Sequence, residues 1–164
     1  MSYIDTSIII AALDPTDSRM HQARRVLEEV RDKIISELVL VELTSVLSRR
    51  RELISNLAKK LGLSEDLLIM AVLLYIIKRF NLTYKAVRYR VATLPLGRVY
   101  MPLAVAMKLS TQLKLKTLDL LHAAYIKLLK DEGEPIHTLV TADSDFEGVK
   151  RQLGQILGVT TFMI

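Results

Sequence analysis

Tyr3-Ile4-Asp5-Thr6-Ser7-Ile8-Ile9-Ile10 decides how the rest of the chain is read. The run is nearly all apolar, broken only by Asp5-Thr6-Ser7, and apolar and polar residues do not alternate. A strand covered on both faces has this composition, as a central strand of a parallel sheet does. The stretch is read as a buried strand running into a turn or helix. Outward from it, helical and strand-like segments follow in alternation. Asp14-Pro15-Thr16-Asp17-Ser18 is a loop and helix start, and Ala23, Val26, Leu27 and Val30 keep helical spacing from about Ser18 to Arg31. Lys33-Ile34-Ile35-Ser36 is a short strand. Glu37 opens a helix with Leu40, Leu43, Val46 and Leu47 on one side, predicted to continue through Arg49-Arg50-Arg51 to Lys60 and to stop at Gly62.

Ser64 is expected to cap a helix reaching Phe80. The stretch from Asn81 to Tyr100 is the least regular, with turns marked by Pro95 and Gly97 and one short strand candidate, Arg98-Val99-Tyr100-Met101. Pro102 suits the first turn of a helix, Thr117 is read as the cap of another, Ile136 to Thr141 as a strand, Phe146 to Leu153 as a helix and Val159 to Ile164 as a closing strand. Strands alternating with helices predict an α/β fold with a mostly parallel sheet. No linker or repeat divides residues 1–164, so a single domain is expected.

Composition narrows the chemistry. Hydrophobic residues make up 51% and charged residues 25%, which excludes intrinsic disorder as the main state. Cysteine is absent, so disulfides, thiolate metal sites and cysteine nucleophiles are excluded. The three histidines, His21, His122 and His137, have no ligand spacing, so a metal would be held mainly by oxygen, which favours hard cations. A formal charge of +5 permits a nucleic-acid partner without showing one. With no Trp and 5% aromatics, a platform for stacking single-stranded bases is not expected. Met1-Ser2-Tyr3-Ile4-Asp5 lacks the basic stretch and apolar core of a signal peptide. The longest apolar run, Leu67 to Ile77, is shorter than the about 20 residues that span a bilayer. A soluble cytoplasmic protein without membrane association is expected. The same run is apolar on all sides, which predicts burial in a homodimer interface or deep in the core.

Several acids sit where polar groups should be scarce. Asp5 follows the first strand, Glu42 lies in Leu38-Val39-Leu40-Val41-Glu42-Leu43, Asp119 in Leu118-Asp119-Leu120-Leu121, and Asp143 and Asp145 follow Leu139-Val140-Thr141. Each has an ordinary reading alone: Asp5 as a helix cap, Glu42 on an exposed helix edge, Asp119 as a first-turn acid, Asp143 and Asp145 in an Asx-turn. Jointly they are better explained as a site. Ionised carboxylates are costly to bury unless paired, hydrogen-bonded or metal-bound. Asp5 and Asp143 also fall at the carboxyl ends of strands, the edge at which open α/β sheets bind ligands. A convergent set of carboxylates repels itself when empty, and Mg²⁺ or Mn²⁺ would relieve the repulsion.

These residues resemble the motifs of the PIN-domain nucleases, and within them the VapC-type toxins. Tyr3-Ile4-Asp5-Thr6-Ser7 looks like the first motif, a strand ending in Asp followed by Thr or Ser. Ser36 to Leu47 around Glu42 looks like the second. Leu118-Asp119-Leu120-Leu121-His122-Ala123-Ala124 is similar to the third, and Leu139-Val140-Thr141-Ala142-Asp143-Ser144-Asp145-Phe146 to the fourth. The resemblance implies a three-layer α/β/α fold and a metal-dependent endoribonuclease, the toxin half of a toxin–antitoxin pair blocked by a small antitoxin protein. It implies Asp5, Glu42, Asp119 and Asp143 as catalytic carboxylates, with Thr6 or Ser7 and Thr141 in support.

Asp5 and Asp119 would be direct ligands of Mg or Mn. Asp143 and Asp145 compete for one role, and one or two ions would bind. Lys114, Lys116 and Arg49 are candidate RNA contacts. His122, one helical step from Asp119, could support a carboxylate but is read as a packed histidine, with no catalytic role assigned. The alternative is a catalytically silent PIN-like interaction module. A phosphatase-like hydrolase is excluded, because its Asp nucleophile needs a second Asp two residues on and Asp5 is followed there by Ser7.

Overall fold

Residues 1–164 are described by a computed structural model. In chain order its elements are β1 (Ser2–Ile4), α1 (Thr6–Leu13), α2 (Met20–Glu29), β2 (Lys33–Ile35), α3 (Glu37–Arg49), α4 (Arg51–Leu61), α5 (Glu65–Arg79), β3 (Leu82–Tyr84), β4 (Val91–Leu94), β5 (Gly97–Tyr100), α6 (Met101–Leu113), α7 (Thr117–Asp131) and β6 (Thr138–Thr141). A 3₁₀ turn (Ser144–Val149), α8 (Lys150–Leu157) and β7 (Thr160–Met163) close the chain. Five strands form one parallel sheet in the order β3-β2-β1-β6-β7, and β4 and β5 form a separate antiparallel hairpin.

The short central strands work because both faces are covered. Ile4, Ile34, Ile35, Leu139 and Val140 are all buried. Helices α1 to α5 pack among themselves, as do α6 to α8, and the two sets lie on opposite faces of the sheet. The result is the expected three-layer α/β/α arrangement. One contiguous core of 40 buried residues runs from Tyr3 to Val159.

The connections from β1 to β2 and from β2 to β3 step outward in one direction, while β6 to β7 steps outward in the other. The reversal falls between β1 and β6. At such a switch point the helices that follow the two strands diverge and leave a crevice outside the carboxyl ends. Asp5 and Asp143 flank it.

The structure corrects several boundaries. Ile8, Ile9 and Ile10 are in α1 rather than in the strand, which stops at Ile4. An apolar run by itself does not choose between strand and helix. The buried set Ile8, Ile9, Ala11 and Ala12 follows the helical period. The helix predicted from Glu37 to Lys60 breaks at Arg50, which leaves helical geometry at φ −83°, ψ 50° and pairs with Asp14 at 3.3 Å. Lys116, not Thr117, occupies the N-cap position of α7. Phe146 lies in the 3₁₀ turn that precedes α8. Gly62, in the left-handed conformation at φ 65°, ends α4 as expected, and the Ser64 hydroxyl accepts from the Leu67 N–H as a helix cap. No helix is long and apolar enough to cross a membrane.

Candidate active site

Asp5 stands at the N-cap position of α1, yet its side chain caps nothing. Its carboxylate turns inward, 4% exposed, and its Oδ2 accepts from the Ser7 and Thr141 hydroxyls, each at 2.6 Å. Those hydroxyls are themselves fixed. The Ala142 N–H donates to Ser7 Oγ and the Asp143 N–H to Thr141 Oγ1, both at 3.0 Å. The peptide that follows β6 is thereby tied to the residue that follows β1, across the switch point.

Glu42 comes from α3. Its Oε2 accepts from the Thr6 hydroxyl and lies 2.9 Å from His122 Nε2, which is also 3.1 Å from Asp5 Oδ1. Both neighbours of Nε2 are acceptors, so Nε2 carries a hydrogen. On the other side of the ring, Nδ1 is 2.9 Å from the Tyr3 hydroxyl, which is 2.7 Å from Ser36 Oγ. Burial alone would lower the His122 pKa. The carboxylates of Asp5, Glu42 and Asp119 outweigh it and hold the imidazole above its ordinary value. Burial raises the Tyr3 pKa well above the usual phenol range, so its hydroxyl stays neutral.

Asp119 is in the first turn of α7 and only 7% exposed, but no protein donor reaches its carboxylate. Its ligand atoms lie within 4.8 Å of those of Asp143 and Asp145, as those of Asp5, Glu42 and His122 lie within 4.8 Å of one another. Desolvation, then the charges of Asp143, Asp145 and Asp5, push Asp119 up to about 6. Asp143 Oδ1 accepts from the Asp145 N–H at 2.9 Å. Lys116 pairs with Asp145 at 2.6 Å.

The acids singled out from sequence are thus brought to one edge as two neighbouring groups, and the Asp5 charge acting on Asp119 links them. An oxygen-rich set in which one carboxylate accepts no hydrogen bond from the protein has the donor chemistry of a site for a hard cation. A model of the PIN domain matches residues 2–152.

The chain belongs to the PIN domain family.

Two solved structures share the PIN fold over nearly its whole length. VapBC2 from Rickettsia felis, solved bound to a DNA fragment from their promoter, is 17% identical, with a TM-score of 0.55 over 99% of this chain and 98% of that one. VapC20 from Mycobacterium tuberculosis, a sarcin-ricin loop cleaving toxin, is 17% identical with a TM-score of 0.55, covering 91% of this chain and 95% of the other. Among curated proteins no sequence match was found.

Three polar residues of this PIN site carry no assigned role in the sequence reading: His122, Tyr3 and Ser36. The i+3 spacing of His122 from Asp119 was the one available signal, since it puts both on one face of a helix. Of the predicted RNA contacts, Lys116 is at the rim of the site. Lys114 ends α6 in the left-handed conformation at φ 52° and is exposed. Arg49 bonds to Ser45 Oγ at 2.7 Å and lies about 10 Å beyond Glu42 along α3.

Proposed function

We propose that this protein is a Mg²⁺- or Mn²⁺-dependent endoribonuclease that hydrolyses RNA phosphodiester bonds, and the toxin of a toxin–antitoxin pair. The observation that carries the reading is the Asp119 carboxylate, which accepts no hydrogen bond from the protein and faces Asp143 and Asp145 beside the Asp5–Glu42–His122 group. Asp5, Asp119 and Asp143 would hold the ion, with Asp145 beside them already neutralised by Lys116. Bound there, the ion would act as a Lewis acid and lower the pKa of a coordinated water.

The chain's own residues do the positioning. Ser7 and Thr141 fix Asp5, and Thr6 and His122 fix Glu42 as the carboxylate that orients the attacking water. Lys116, exposed at the rim, is placed to meet a phosphate, with Lys114 two residues before it.

A protein partner and a homodimer belong to the same proposal. Leu67, Met70, Leu74 and Tyr75 on α5 are each more than half exposed, while Leu68, Ile69, Leu73 and Ile76 on its other face are buried. The helix is thus buried on one face only, and a homodimer would cover the other. An apolar groove of about 330 Å³ between α1, α3 and α4, lined by Ile10, Leu13, Leu43, Leu47 and Leu53, is a second uncovered surface. The similarity to the VapBC2 complex supports a small antitoxin as an occupant, and a cytoplasmic location accords with these partners.

The test is cleavage of RNA by the purified chain. Activity should require Mg²⁺ or Mn²⁺, stop with EDTA, and disappear in Asp5→Asn while circular dichroism stays that of a folded protein. Absence of RNA cleavage under either ion would overturn the reading in favour of the silent module.

A further inference from the structure

The β4–β5 hairpin presents chemistry that the carboxylate site does not use. Tyr89 is 84% exposed, and its ring stacks on that of Tyr100, with centroids 5.8 Å apart and planes 24° off parallel. A solvated tyrosine held in this geometry offers a free π face. The ladder pairs Val91 with Tyr100 and Thr93 with Arg98, so Arg98 and Tyr100 share a face, and alternation extended back from Val91 puts Tyr89 there too. Arg88, Arg90 and Arg98 are exposed, and none of the three guanidinium groups has an acid or hydrogen-bond partner.

The hairpin is anchored to the helices that carry the site. Glu37, at the start of α3, accepts from the Val87 N–H at 3.1 Å, and Glu132, at the end of α7, accepts from the Arg88 N–H at 3.0 Å. The Met101 N–H donates to Arg90 O at 2.9 Å and closes the base. Tyr100 also faces Tyr125 of α7 and Tyr84 at the end of β3, around Glu37. Tyr84 ends β3 at the same carboxyl edge as Asp5, two strand spacings or about 10 Å away. Four of the six tyrosines are therefore collected around Glu37 and the hairpin, which is tied at Glu132 to the end of α7 opposite Asp119, about 20 Å along the helix. Average aromatic content does not reveal this, because the fold concentrates what the composition dilutes.

We infer that the hairpin is a docking platform for single-stranded RNA: a base stacks on Tyr89, Arg98 on the same face engages the phosphate beside it, and Arg88 and Arg90, which the same alternation puts on the other face, add to the positive potential that draws the strand in. Aromatic faces interleaved with unpaired cations are the combination that binds single strands with little sequence preference. The inference deepens the nuclease reading and rests on it for the purpose of the bound strand. Tyr89 and Arg98 touch substrate away from the reacting atoms, and Arg88 and Arg90 act through charge, so the hairpin sets affinity rather than the chemical step.

The experiment measures anisotropy of a short fluorescein-labelled oligoribonucleotide against the full chain in EDTA, where cleavage is not needed. Tyr89→Ala should weaken binding about tenfold, and Tyr89→Phe should restore it. The triple change Arg88→Ala, Arg90→Ala and Arg98→Ala should also shrink the slope of log affinity against log salt, by about 0.7 for each phosphate that the variant no longer neutralises. With divalent ion present, the same variants should raise KM and leave kcat unchanged. All altered side chains are exposed, and unchanged thermal unfolding verifies the fold.

Equal affinity and an equal salt slope in wild type and variants would overturn the platform. So would no binding by the wild type at low salt, or a preference for duplex RNA or single-stranded DNA. Cleavage that persists while binding is unmoved removes the platform and leaves the nuclease reading. Hairpin-dependent binding with no cleavage under Mg²⁺ or Mn²⁺ removes the nuclease reading and leaves the platform.

Discussion

The two halves of the acidic edge are built on opposite principles. In the Asp5–Glu42–His122 half, every charged group has partners: Asp5 accepts two hydroxyls, Glu42 accepts a hydroxyl and an imidazole, and His122 reaches on to Tyr3. In the Asp119–Asp143–Asp145 half, Asp119 accepts no hydrogen bond from the protein, and Lys116 is paired with Asp145. The first half is stable as it stands and serves to hold geometry. The second repels itself, which a divalent cation would relieve. A site divided in this way is hydrogen-bonded on one side and self-repelling on the other, the division that the proposed function uses.

The largest effects to be expected separate the halves by function. Asp119→Asn should lose RNA cleavage by more than the about 10–100-fold that removal of an outer-shell partner costs. It should also abolish the thermal stabilisation of the wild type by Mn²⁺, which at a hundredfold excess over Kd amounts to about 2.7 kcal/mol. Calorimetric titration with Mn²⁺ reads both the affinity and its loss. Undiminished Mn²⁺ binding in this variant would break the comparison, because the unsatisfied half would then not be the ligand half. His122→Ala tests the other side. It leaves Asp5 and Glu42 facing each other with no cation between them, and should destabilise the fold by about 3–5 kcal/mol in urea unfolding.

A smaller effect sharpens the contrast by its sign. In EDTA, Asp5→Asn should destabilise by about 1–3 kcal/mol, because an amide NH₂ replaces one of the two carboxylate oxygens and either the Ser7 and Thr141 hydroxyls or His122 Nε2 then meets a donor. Asp119→Asn should instead stabilise, by about 1–2 kcal/mol, because it removes a repelled carboxylate and breaks no bond. Shifts of the same sign in the two variants would show that the halves do not differ in the way their hydrogen bonds suggest.

Much of this edge was legible from residues alone because strand ends and polar interruptions are local signals. Asp5 and Asp143 could be placed at strand termini, and Glu42 and Asp119 inside apolar helices, from a few neighbours each. His122 was legible only as a neighbour of Asp119, and its packing reading outweighed a place in the site. A histidine between Leu121 and Ala123 on a buried helix reads as packing, and its partners Glu42 and Asp5 are far away in sequence. Asp143 against Asp145 stayed open because the two share one turn, and only the Lys116 pair distinguishes them. In the fold, β3 was missed because it is three residues long with two of them exposed, which leaves no periodicity to read. Only the last strand of the β4–β5 hairpin was visible, since half-buried residues on both of its strands blur the alternation. The break at Arg50 lies in a run of arginines that reads equally well as an exposed helix face.

Glu37 offers the smallest and most discriminating case, because it is intermediate between the two halves. One carboxylate oxygen accepts from the Val87 N–H, and the other is buried with no partner. Burial raises its pKa above the ordinary glutamate value. The folded protein therefore holds this proton more tightly than the unfolded chain does. The stability tied to Glu37 is fully present below the unfolded pKa and is lost as pH rises through the folded one. Glu37→Gln keeps an acceptor for Val87 and removes the charge. The variant should match the wild type in acid and become the more stable of the two toward neutral pH. Urea unfolding of both proteins across that range isolates the effect, since every other titrating group is common to the pair. A difference that stays constant with pH would mean that the orphaned oxygen costs nothing when charged. In that event the absence of a donor at Asp119 would also lose its force as a sign of an unsatisfied site.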